Sequence, residues 1–252
     1  MMVNSFYKLC FRSCSQLLLV MLTVFFSVHG QAKTYTIGVE AVNHFPHYDF
    51  NSGEPRGYLV EVINKFAESQ DFEIDFKVMA VNDLWRAYAN EEVDFRLPDN
   101  LLWQRDIKKE LSITYSAPIA YFTDGVVSLY TNKDKPITRL GTIKGFTAWG
   151  YQGDIESGDI ELVSENNLQN LIEGLYAGRF DGVYYNVEAF IKLVQEAGHP
   201  ATSVTFRRNL VKTRSLYMLS SIHHGGLVKE LNQFLRTNKT WVRERKAYYG
   251  LK

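Results

Sequence analysis

Two distant segments of the chain follow one grammar. Leu84 to Phe95 and Leu171 to Gly182 each run from a helical stretch through a small turn to an aspartate, Asp94 or Asp181, and on into an apolar strand. A helix and strand of this kind bury their apolar faces only by packing on neighbours, so the recurrence predicts two α/β lobes built alike. Both strands end in polar residues, Asp99 and Asn100 after the first and Asn186 after the second. The carboxyl ends of strands in open α/β sheets are where ligands bind, so two such lobes would aim at one shared cleft.

The stretch from Val93 to Pro118 carries the first of these ends. Val93 to Leu97 reads as a strand that breaks at Pro98, and Asp99 and Asn100 are good caps for a following helix containing Trp103 and Arg105. Two short polar side chains, an indole and a guanidinium suit a small polar molecule with a planar or apolar part.

The rest of the chain alternates in the same way. Tyr35 to Val42 reads as a strand and leads into an aromatic, turn-rich loop from His44 to Gly57, where His47 and Tyr48 can stack on or hydrogen-bond a solute. Leu59, Val62, Ile63 and Phe66 form the stripe of an amphipathic helix, Phe72 to Val78 alternates as a strand, and Asn82 is placed to cap a helix over Asp83 to Glu91. Ile119 to Tyr130 is long enough to leave one lobe and enter the other. A second series then follows: Gly141 to Thr147 as strand and turn, Glu161 to Val163, the helix Leu168 to Tyr176, the strand Gly182 to Tyr185 and the helix Val187 to Ala197. Trp149 and Tyr151, beside the turn Gly145-Phe146-Thr147, can face the cleft from this side, where the turn's backbone N–H groups can meet an anion, and Thr147 is the candidate ligand group of that turn. Val204 to Phe206 and Leu216 to Ser220 return the chain, which ends in helices over Gly226 to Arg236 and Thr240 to Tyr248.

The first 32 residues read as a secretory signal: basic Lys8 and Arg12, a 12-residue apolar core from Leu17 to Val28, and small residues Gly30 and Ala32 before a cut. Both cysteines, Cys10 and Cys14, precede that core, so cleavage leaves a chain without thiols. This excludes disulfides, a cysteine zinc site and a cysteine nucleophile. It leaves 26 basic against 28 acidic residues, which is no footprint for nucleic acid. A periplasmic, monomeric product is expected. Pro46 between His44 and His47 rules out helical metal-ligand spacing, and no metal is expected; His223 and His224 read as a solvated helix entry. Nucleophile elbows, phosphate loops and dinucleotide fingerprints are absent from the sequence, and no cofactor is expected.

Four boxes in order carry a resemblance: Gly57-Tyr58-Leu59-Val60-Glu61, Trp85 with Val93-Asp94, Tyr115-Ser116-Ala117-Pro118, and Gly178 to Val183. Over residues 33 to 252 the chain resembles the family 3 solute-binding proteins, the polar amino-acid receptors of ABC importers. The resemblance implies a two-lobed α/β fold of the type II periplasmic binding proteins, each lobe a mixed sheet flanked by helices, joined by two crossing hinge segments. Lobe 1 would span 33–128 with 205–252, and lobe 2 would span 129–204. It implies closure on a small solute for delivery to an ABC permease or a membrane sensor. The arginine that clamps the ligand's carboxylate in that family corresponds to Arg105, with about four extra residues before Ser116. The acidic residue that receives the ligand's ammonium group falls on Asn186. An amide does not neutralise an ammonium, and a buried unpaired cation is costly, so an ordinary α-amino acid is not the expected ligand. The same scaffold hosts dehydratases of cyclic amino-acid precursors, for which Asp99 or Glu188 would be the general acid. A structural or adhesive exported protein is the third possibility.

Overall fold

The computed structural model describes residues 32–251, and the signal reading, with Cys10 and Cys14, lies outside the described residues apart from Ala32. β1 (Lys33–Glu40) is buried at its carboxyl end and leads into a tight hairpin of β2 (Asn43–His44) and β3 (Tyr48–Asp49). The loop expected between His44 and Gly57 is therefore partly regular. Asp49 holds it, accepting from the Arg56 guanidinium and from the N–H groups of Asn51 and Ser52. Gly57 ends it at φ 110°, where a Cβ would lie 2.8 Å from the backbone of Tyr48, so only glycine fits.

α1 (Tyr58–Ser69) buries the stripe expected of it, Leu59, Val62, Ile63 and Phe66, against the sheet. Each of those side chains contributes roughly 1.5–3 kcal/mol of apolar burial. β4 (Phe72–Met79) follows at the sheet's edge, then α2 (Val81–Ala89). Asn82 does not cap α2; Ala80 is the extended residue before it, and Asn82 already lies in the first turn.

β5 (Phe95–Asp99) runs parallel to β1, with Ile37 opposite Phe95 and Val39 opposite Leu97. The strand does not break at Pro98. That residue, which has no N–H to offer a ladder, sits where the register with the next strand shifts between Asp99 and Arg96. Nor does a helix start at Asp99 or Asn100. Asn100 closes a turn instead, its Oδ1 accepting from Leu102 N–H and its carbonyl from Trp103 N–H. The short helix α3 (Arg105–Lys108) begins only after Gln104, at φ 45°.

After β6 (Thr114–Tyr115), β7 (Ala120–Leu129) starts the crossing to the second half. That half contains β8 (Arg139–Ile143), α4 (Gln152–Ser157), β9 (Glu161–Glu165), α5 (Leu168–Tyr176), β10 (Gly182–Asn186), α6 (Val187–Glu196) and β11 (Val204–Phe206). β12 (Lys212–Ser221) crosses back, and α7 (Gly225–Thr237) adds Val228, Leu231 and Phe234 to the core under β1 and α1 before α8 (Lys239–Tyr248). The strand order is β4-β1-β5-β12-β7-β10-β8-β9. β7 and β12 are its two long central members, antiparallel from Ala120 opposite Tyr217 to Gly125 opposite Lys212. Beyond this shared segment β12 pairs with β5 and β6, while β7 pairs with β10 and β11. These two strands are the crossing segments, and separate apolar clusters fill the halves on either side.

The repeated grammar has a repeated structural cause. Asp94, ahead of β5, accepts from the N–H and hydroxyl of Thr36 on β1. Asp181, ahead of β10, accepts from the N–H and hydroxyl of Thr138 and from Arg139 N–H at the start of β8. Each aspartate ties two parallel strands together at their amino ends. Partial burial opposes ionisation of both carboxyls, yet the hydrogen bonds outweigh it and their pKa values fall below 3.8. The stabilisation is thus present above pH 3.8 and is lost as the pH falls through the depressed value. Asp181→Ala is expected to cost about 1–2 kcal/mol at pH 7. Urea unfolding should show that penalty shrinking in acid; a penalty independent of pH would contradict the assignment.

Candidate functional site

A cavity lies where the two halves meet the crossing strands. The first half supplies Glu40 at the end of β1, His44, Val81 and Trp85 of α2, and Trp103 and Gln104. From the second half come Gly145, Phe146 and Thr147 of the turn after β8, with Trp149, Tyr184 and Tyr185. Phe122 and Asp124 on β7 and Tyr217 on β12 form the floor. The two-residue period of a strand places Phe122 and Asp124 on one face of β7. The turn from the second half reaches close across: a Cβ on Gly145, at φ 94°, would lie 3.0 Å from Asn82 Oδ1 at the start of α2. The cavity amounts to about 60 Å³. That suits a solute with few heavy atoms.

The walls are mostly aromatic. Phe122 stacks on Tyr217 with centroids 4.2 Å apart, and Phe146 stacks on Tyr185 at 5.6 Å. His44 meets Tyr185 edge-on at 4.6 Å, an aromatic contact between the halves. Beneath this surface lies an ionic cluster. Arg96, fully buried, donates to Glu40 at 2.7 Å and lies 3.5 Å from the ring centre of Trp85, while Lys108 donates to Asp99 at 2.6 Å. Burial raises the pKa of Glu40 despite Arg96, and the charge of Asp99 adds to the rise.

A relay fixes His44. Tyr48 donates to Glu40 at 3.3 Å; with that proton so placed, we assign the proton of His44 to Nδ1, which lies 2.7 Å from the Tyr48 oxygen and 3.4 Å from the Tyr217 oxygen. Nε2 is then a bare acceptor, and it is buried without a partner. Burial, followed by the nearby His47, pushes the His44 pKa down to about 3, so the ring is neutral. Asp124 is the other unmatched group. Its carboxylate has no hydrogen-bond or ion-pair partner among the described residues, and burial together with the charge of Glu40 pushes its pKa up to about 7.

Of the residues singled out in the sequence, Trp103 and Thr147 line the cavity. Tyr48 lies behind it, holding Glu40 and His44. His47 is buried against Tyr217 and 3.7 Å from Glu188 of α6. Asp99 accepts from Lys108 and Ser220, and Asn100 donates to Ser215 and to the Leu216 carbonyl, so both are engaged within the fold. Arg105 is exposed on α3 and is not among the cavity residues. Asn186 caps α6 through Ala189 N–H and donates to the Tyr217 hydroxyl at 3.3 Å. His223 and His224 pair with Glu91 and Asp94, so the helix entry they mark is tied down. Among the described residues no group of His, Asp and Glu is arranged to hold a metal ion, and no helix is long and apolar enough to cross a membrane.

The sequence reading missed Glu40, His44 and Asp124 as cavity groups. Asp124 had a signal: it is the single charged residue in the run from Ile119 to Tyr130, two positions from Phe122. In the sheet, moreover, Asp124 is the cross-strand neighbour of Asn186.

Solved structures share this architecture throughout. The GluR0 ligand-binding core in complex with L-glutamate aligns over 87% of this chain and 99% of its own, with a TM-score of 0.70 at 17% identity. The fold is that of the type II periplasmic binding proteins. A Salmonella typhimurium periplasmic binding protein of high arginine specificity aligns with a TM-score of 0.67 at 16% identity, over 86% of this chain and 99% of that one. A histidine kinase sensor domain with similarity to periplasmic binding proteins aligns at 0.68 and 15% identity, over 86% and 96%. No protein-family model matches the sequence, and no curated protein matches it either.

Proposed function

We propose that the chain is an exported solute receptor of the family 3 kind. After loss of residues 1–32 it works in the periplasm, with lobe 1 over 33–128 and 205–252 and lobe 2 over 129–204. A small solute enters between the lobes, and contacts to both favour the closed arrangement, shifting an equilibrium that exists without it. The closed form is what an ABC permease reads, or a membrane sensor. The observation that carries this reading is the cavity itself, walled by side chains from both halves and floored by the two crossing strands.

The test is a thermal-shift screen of the mature protein against the twenty amino acids, short alkylamines and diamines. At least one compound should raise the melting temperature. Spin labels on Lys65→Cys and Lys192→Cys, in a chain whose own cysteines lie before Leu17, should then report a shorter, narrower distance with that compound. A flat screen together with an unchanged distance would overturn the reading.

A second reading rests on Asp124. A carboxyl with a pKa of about 7 in a cavity wall is what general-acid chemistry requires. The receptor reading expects a bound compound to be recovered chemically unchanged. Conversion seen by NMR and lost in Asp124→Asn would favour an enzyme.

A further inference from the structure

The charges around the cavity do not balance. Arg96 answers Glu40 and Lys108 answers Asp99, which leaves Asp124 as a carboxylate with no cation. Lysine and arginine are absent from the cavity wall among the described residues, so no cationic side chain there matches a ligand carboxylate. His44 Nε2 adds a second unmatched group, an acceptor on a side chain only 4% exposed. The Tyr185 hydroxyl, on a side chain 1% exposed, also lacks a partner. Around these acceptors stand the stacked rings of Phe122 with Tyr217 and Phe146 with Tyr185, whose electron-rich faces attract cations.

We propose that the solute is a small organic cation with N–H donors, a primary ammonium or an amidinium, that carries no carboxylate. This rests on the solute-receptor reading and narrows it. Its N–H groups answer Asp124 and His44 Nε2, and its apolar body lies against the rings. The size of the cavity restricts it to a short chain. Binding needs Asp124 ionised. The titratable groups facing that carboxyl are Glu40 from β1, neutral His44, Tyr184 and Tyr185 from β10, and Tyr217 from β12. The tyrosines have pKa values raised by burial, so between pH 5 and 8 they stay neutral. Affinity is therefore expected to rise with pH up to about 7 and then level off.

The test is isothermal titration of the mature protein with n-butylamine, norvaline, n-butyrate and tetramethylammonium. Norvaline is n-butylamine with a carboxylate on its first carbon, so the pair isolates that group. At pH 8, n-butylamine should bind at least 30-fold more tightly than each of the other three, and at pH 5.5 it should weaken at least tenfold. Asp124→Asn should lose at least 30-fold and become insensitive to pH; the pH profile of the unaltered protein tests the same point without a variant. Norvaline or n-butyrate binding as tightly as n-butylamine would overturn the inference while leaving the receptor reading intact. Tetramethylammonium binding equally well would overturn the need for N–H donors. An amine that fails to bind at millimolar concentration would overturn the cation itself.

Discussion

Arg96→Ala is expected to lower the free energy of unfolding by about 3–5 kcal/mol, the cost of removing one partner from a buried ion pair. Arg96 is fully buried, and it alone sits between two carboxylates: Glu40 at 2.7 Å and Asp99 at 3.8 Å. Lys108 still serves Asp99 after the change, but Glu40 is left with a single hydrogen bond from Tyr48. The guanidinium also covers the ring of Trp85, so its loss opens a void behind the cavity wall. For a domain with a typical stability of roughly 5–15 kcal/mol, the effect is a large fraction of the total. Urea unfolding followed by tryptophan fluorescence measures it. Adding Glu40→Gln to Arg96→Ala should recover part of the loss, since a neutral amide costs less to bury than a lone carboxylate. A penalty below 1 kcal/mol would show that the cluster is not holding its charges as described.

The second large effect runs the other way. Asp124 has a pKa of about 7 against 3.8 for an ordinary aspartate, because burial and the charge of Glu40 disfavour its ionised form. The folded-state value lies above the unfolded one. Its contribution to stability is therefore complete below pH 3.8 and is lost as the pH rises through about 7. Each pH unit in that window removes up to about 1.4 kcal/mol, and allowing for screening at the cavity wall the total is on the order of 3 kcal/mol by pH 8. Asp124→Asn should match the unaltered protein at pH 4 and exceed it at pH 8. Denaturation at the two pH values checks this. Parallel curves for the two proteins would contradict it. The group whose ionisation destabilises the fold is the one assigned to the solute, so binding and stability are expected to trade against each other at a single residue.

Much of the architecture was legible in the sequence because it rests on local pattern. The α1 stripe, the long strand from Ile119 to Tyr130 and the doubled Asp94 and Asp181 grammar are each set by periodicity or by a short hydrogen-bonding motif. The cavity was less legible because its residues meet only through register. Glu40 ends β1, and Asp124 lies in the middle of a strand whose length pointed to crossing rather than to binding. Tyr184 and Tyr185 look like core strand residues until the second half is placed against the first. Asp99 and Asn100 illustrate the converse: they have the chemistry of ligand groups, but Lys108, Ser220, Ser215 and the Leu216 carbonyl take up their polar atoms. Side chains distant in sequence decide that outcome, and local pattern does not contain them.

The most direct measurement is native mass spectrometry of the protein recovered from the cells that produce it, followed by identification of the small molecule that denaturation releases. The account predicts one molecule per chain, cationic at neutral pH, with N–H donors and without a carboxylate. Recovery of an anionic compound or an ordinary α-amino acid at one per chain would contradict it.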